Sequence, residues 1–117
     1  MLKLIDQIVS AGLLIVGLAH VAAASKAFTD PTQARVWFLS AGLLGLVAGL
    51  ANLARARSEG GDRLLSLTAL VGAIGILIMG ILLIGAGETS ATAGPALVVL
   101  ALGALAAAFS LRSLLRR

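Results

Sequence analysis

The sequence has no cysteine, two prolines, four aromatic residues and only 14 charged residues in 117. Without cysteine there is no disulfide framework and no thiolate metal site. Charged residues make up 12% of the chain, about half the roughly 25% of a soluble domain. Hydrophobic residues make up 60%. A soluble fold of this length has too little interior to hide that much apolar surface. A water-soluble enzyme, a secreted disulfide scaffold and a disordered chain are thereby excluded. The formal charge of +4 does not point to nucleic acid, because the bases sit in short connectors and at the ends. What is present in quantity is apolar sequence, and it reads as an integral membrane protein.

The few charges mark the spans. Four uncharged stretches lie between them, at 7–25, 36–54, 64–87 and 89–111, holding 19, 19, 24 and 23 residues. At about 1.5 Å per residue the shortest covers roughly 28 Å, close to the hydrocarbon thickness of a bilayer. Spanning backbone must satisfy its own hydrogen bonds, and these continuous runs lack the alternation of barrel strands. The expected fold is all-α: a four-helix transmembrane bundle, up-down-up-down, with helices near 4–27, 31–57, 63–86 and 95–115. The whole chain, 1–117, forms one integral-membrane domain.

Local signals support these divisions. Asp30-Pro31-Thr32-Gln33 reads as a helix start, with Asp30 as N-cap and Pro31 at the first helical position. Gly60-Gly61-Asp62 closes one helix and caps the next. Gly85 and Gly87 end helix 3, and Gly94-Pro95 opens helix 4. Lys3, the apolar run from Ile8 and Ala22-Ala23-Ala24-Ser25 imitate a cleaved secretory signal. Asp6 in the basic region and the length of the run favour a retained first span.

Orientation follows from the bases. The N-terminal segment, the 55–63 connector and the C-terminal segment hold Lys3, Arg55, Arg57, Arg63, Arg112, Arg116 and Arg117, against Lys26 and Arg35 on the other side. The positive-inside rule places both termini in the cytoplasm of a bacterial inner membrane. Phe28, Trp37 and Phe38 then lie at the outer interface, where aromatic rings collect.

Helices in lipid associate where small residues let backbones approach. The expected seams are Ala41, Gly45 and Gly49 on helix 2, Gly72 and Gly80 on helix 3, and Gly103 and Ala107 on helix 4, with Gly12 and Gly17 on helix 1. A shift of 59 residues lays Gly42, Gly45 and Gly49 over Ala101, Ala104 and Ala108, the mark a duplicated hairpin would leave.

Polar side chains are confined to the helix ends, and the central turns contain none. That argues against an ion path or a midplane transport site, and predicts a sealed middle. Asp6, Ser10, Asn52, Arg55, Arg63 and Arg112 form an inner cluster at similar depth, read as a satisfied structural network or as an anion or headgroup pocket. His20 stands alone well inside a span, about 9 Å below the outer interface by helical rise. It reads either as a structural histidine bonded to a backbone carbonyl, Ser40 or water, or as a weak candidate ligand for a cofactor, metal or lipid headgroup. No catalytic residue, cofactor or metal site is expected.

The tetraspan layout, the size and the apolar first helix ending near His20 and Lys26 resemble small bacterial membrane proteins, DoxX-like ones among them. The resemblance covers architecture and transfers no functional residue. The expected function is non-enzymatic: a structural, partner-binding or lipid-binding membrane subunit or assembly factor. Its partners would be the lipid bilayer, another membrane protein or a second copy, and not nucleic acid. The alternative is a small transporter or channel whose pathway forms only in a homo-oligomer.

Overall fold

The computed structural model describes residues 1–27, 33–58, 61–85 and 90–116, without the side chains of 34 and 90–93. It is a bundle of four helices: α1 (Leu2–Ala27), α2 (Gln33–Arg57), α3 (Arg63–Gly85) and α4 (Ser90–Leu115). Each is long and apolar enough to cross a membrane. The 26 residues of α1 extend about 39 Å, longer than the roughly 30 Å hydrocarbon core, so its ends reach headgroup depth. The molecule measures 47 × 23 × 21 Å. Around the bundle, α1 packs on α2 and α4, and α3 packs on α2 and α4. The backbones of the diagonal pair α1 and α3 do not approach closely among the described residues.

The α2–α3 connector shows how the chain reverses. Gly61 has φ +64°, the left-handed conformation glycine adopts without cost. Asp62 then caps α3, its Oδ1 accepting from the Leu64 N–H at 2.9 Å and the Leu65 N–H at 3.2 Å. The expected Asp30–Pro31 start, Phe28, Glu59, Gly60, Gly87, Glu88 and Arg117 lie outside the described residues.

Helix 4 differs from its expected start at 95. It begins at Ser90 and carries Pro95 inside it. The expected restart at Gly94-Pro95 therefore falls inside the first two turns of the helix. Proline removes one helical N–H, a loss most easily tolerated near a helix start.

The interior inverts the soluble rule. Its buried apolar residues are mostly alanine: Ala24, Ala48, Ala56, Ala69, Ala73, Ala96 and Ala106, with Leu13 the largest fully buried side chain. Large residues such as Ile15, Val47, Leu50, Val71, Ile81 and Leu97 face outward. Lipid is as apolar as leucine, so association rests on close backbone approach, which small residues permit. A Cβ on Gly17 would lie 2.7 Å from the Leu46 nitrogen, and one on Gly49 would lie 2.8 Å from the Leu14 nitrogen. Gly42 is equally close to Val21, at 2.9 Å from its nitrogen. The α1–α2 seam therefore runs through Gly42, Gly45 and Gly49, opposite Gly17. Gly72 meets Ala48 across α2–α3, and Gly80 and Gly103 meet Leu100 and Ile76 across α3–α4. Ala107 packs half-buried against the core.

Ala41 is half-buried and borders a cavity described below, as Gly17 and Gly45 of the seam also do. One expectation about small residues fails. Ala101, Ala104 and Ala108, the counterparts of the glycine seam under the 59-residue shift, are exposed. The two hairpins therefore do not use those positions alike.

Candidate functional site

Polar chemistry gathers at the end of the bundle that bears both termini. Asp6 lies one turn into α1 and Arg55 in the last turn of α2, and the close α1–α2 seam brings them together. Arg55 Nη2 donates to Asp6 Oδ1 at 2.6 Å and Nη1 to Oδ2 at 2.9 Å, a bidentate pair with side chains 4% and 10% exposed. The fork of the guanidinium matches the carboxylate geometry. Arg55 also donates to the Phe109 carbonyl at 3.4 Å and to Asn52 Oδ1 at 3.3 Å.

Asn52 is fully buried and saturated. Its Nδ2 donates to the Ala48 carbonyl at 2.9 Å and to the Ala69 carbonyl at 3.2 Å. Its Oδ1 accepts the Ser110 hydroxyl at 2.9 Å. Asn52 and Arg55 thus tie α2 to all three other helices. Ser66 and Ser113 exchange a further bond between α3 and α4, at 2.9 Å.

The expected inner cluster is assembled only in part. Asp6, Asn52 and Arg55 meet directly. Ser10 is buried beside them, but its hydroxyl donates to the Asp6 backbone carbonyl at 2.8 Å, not to the carboxylate. Arg112 is half-buried at the same end. Arg63 is excluded: it is exposed at the start of α3, the helix diagonal to Asp6. Ser110, the acceptor-completing partner of Asn52, was identifiable in the sequence only by its depth.

Beside this network lies a cavity of about 720 Å³. Lys3, Arg55, Arg112 and Arg116 line it, and Asp6 is its one acidic side chain among the described residues.

A second cavity, of about 470 Å³, occupies the other half of the bundle. All four helices line it: Leu13, Val16 and His20 from α1, Trp37, Phe38 and Ala41 from α2, Ile76 and Met79 from α3, Pro95 and Val99 from α4. The sealed middle expected from the central turns is therefore corrected. Those turns are apolar, as read, but they are not filled. The cause is the same small residues: Gly17, Ala19, Ala23, Ala41, Gly45 and Gly80 all border the space and cannot occupy it. The hairpins α1–α2 and α3–α4 stay closed at Gly17–Gly45 and Gly80–Leu100, and the cavity lies between them.

His20 is the one ionisable residue in that lining among the described residues. Its Nδ1 lies 3.1 Å from the Val16 carbonyl, one turn back on its own helix. A carbonyl can only accept, so the proton is on Nδ1. The ring stacks on Phe38, centroids 5.2 Å apart and planes 25° from parallel. Its Nε2 has no hydrogen-bond partner among the described residues. No group of three or more His, Cys, Asp or Glu able to hold a metal comes together among the described residues.

The chain matches no protein-family model, no curated protein and no solved structure, so the likeness to DoxX-like proteins rests on layout alone.

Proposed function

We propose that this four-span bundle is a non-enzymatic lipid-binding protein of a bacterial inner membrane. It holds an amphiphilic molecule of the bilayer in the cavity between its two hairpins. The observation that carries this reading is the cavity itself. Its volume of about 470 Å³ falls within the 300–1,000 Å³ range of small-molecule sites. The lining is apolar apart from His20 and the indole N–H of Trp37, the usual pattern of a hydrophobic site with few polar groups. An apolar tail would lie against Val16, Ala41, Ile76 and Val99. A polar end that donates a hydrogen bond would meet the Nε2 lone pair of His20.

Orientation is part of the proposal. The seven-to-two bias in bases supports cytoplasmic termini. The Ala-, Leu- and Gly-rich composition suits a GC-rich bacterium.

Native mass spectrometry of protein released from its own membranes tests the reading. The wild type should carry a bound amphiphile, and Ala41→Leu, which fills the cavity from α2, should lose it while remaining folded. A bare wild type, or equal retention by Ala41→Leu, contradicts the proposal.

A further inference from the structure

We propose that the cavity at the termini-bearing end is a second binding site, specific for a phosphate-bearing anion held by Arg112, Arg116 and Lys3. The first argument is charge. Among the described residues four basic side chains line this cavity against one acidic one, and that one is already taken bidentately by Arg55. Lys3, Arg112 and Arg116 have no ion-pair partner among the described residues. They come from α1 and α4, whose ends the up-down topology brings to the same side of the bundle. Like charges brought together repel, so an anion that fits between them gains from all three.

The second argument is an orphaned donor. Arg55 lines the cavity, and its Nε–H is buried with no partner among the described residues. Such a group leaves a hydrogen bond unmade, which is uncommon for buried polar atoms. Nε itself is closed to a ligand, but its unsatisfied donor adds to the positive field at the cavity wall.

The third argument is depth. The cavity is bordered by the first turn of α1 and the last turns of α2 and α4, where the apolar spans begin or end. This is the level of the lipid phosphates. Guanidinium forks bind oxyanions in a bidentate manner, which favours phosphate over halide, and three bases together match the larger charge of a phosphate better than that of a single carboxylate. At about 720 Å³ the space exceeds one phosphate and accommodates its substituents. The site is independent of the cavity beside His20, since no residue borders both.

The test uses the full chain in detergent with two probes, phosphatidylglycerol and inorganic phosphate. Variants are Arg112→Gln/Arg116→Gln together, and Lys3→Gln on a different helix. All are also measured with Ala41→Leu present, so that a lipid in the other cavity is not counted. Each base near a membrane surface contributes about fivefold to anion binding, so the double variant should bind roughly 25-fold more weakly. Lys3→Gln should lose about fivefold. Their melting temperatures without either probe should match the parent. Saturable binding of phosphatidylglycerol alone identifies a lipid headgroup, and saturable binding of inorganic phosphate identifies a free phosphate compound. If the double variant does not fold, Lys3→Gln decides. Absence of binding by both probes, or binding unchanged in the variants that fold, overturns the proposal.

Discussion

At the scale of single residues, energetic weight is concentrated in the Asp6–Arg55 pair. Removing one partner of a buried ion pair leaves an uncompensated charge and costs about 3–5 kcal/mol. Asp6→Ala should therefore destabilise the bundle by that amount in a detergent unfolding assay. Asp6→Leu/Arg55→Met should recover most of the loss, because an apolar pair of similar volume carries no desolvation cost. A double variant as unstable as Asp6→Ala would show that the pair's geometry, not its charge balance, matters. His20 carries far less. The Val16 carbonyl already accepts the backbone N–H of the helix, so the Nδ1 bond is its second, and side-chain bonds within membranes average only about 0.6 kcal/mol. His20→Gln and His20→Leu should both fold, with Leu the less stable by no more than about that amount. The discriminating readout is the guest: His20→Leu should lose affinity for it, having no polar acceptor.

At the scale of elements, the α1–α2 seam is the closest approach in the molecule. Gly17 faces backbone atoms of α2, which cannot turn aside. Gly12 instead faces the end of the Leu102 side chain at 3.1 Å, which can. Gly17→Ala should therefore cost more than Gly12→Ala. Gly45→Leu and Gly49→Leu should cost at least the about 1–3 kcal/mol of interior overpacking, while Leu50→Ile on the lipid face should be nearly silent. Equal melting temperatures for all these variants would mean the seam is not closed. The elements themselves were legible because a charge in hydrocarbon is costly, so the charges delimit the spans. The seam was legible only partly. A four-residue spacing picks out Ala41, Gly45 and Gly49, whereas the packed line is Gly42, Gly45 and Gly49, alternating three and four as in left-handed crossings. Spacing alone does not say on which side of the crossing a small residue falls. Gly42 meets Val21 in the seam, Ala41 borders the cavity, and Gly45 borders both.

At the scale of the whole molecule, depth could be read from the chain and azimuth could not. Asp6, Arg55 and Arg63 lie at one level, but whether an arginine reaches Asp6 depends on which helices are neighbours. Arg55 is on an adjacent helix and Arg63 on the diagonal one. The cavity was hidden for a related reason: absent side-chain volume shows only when four helices are assembled. Topology remains open to a direct check. Reporter fusions at Arg117 and near Glu88 should place the first in the cytoplasm and the second outside, and an external C-terminus would reverse the proposed orientation. The central claim, that the space between the hairpins holds a bilayer amphiphile, has a built-in reporter. Trp37 borders that cavity and is the one tryptophan in the chain. Its fluorescence should be titrated in detergent with a brominated fatty-acyl lipid, which quenches on contact, in the wild type and in Ala41→Leu. Occupancy of the cavity predicts saturable quenching at low lipid fraction in the wild type and only gradual, unsaturating quenching in Ala41→Leu. Identical gradual curves for the two proteins would contradict it.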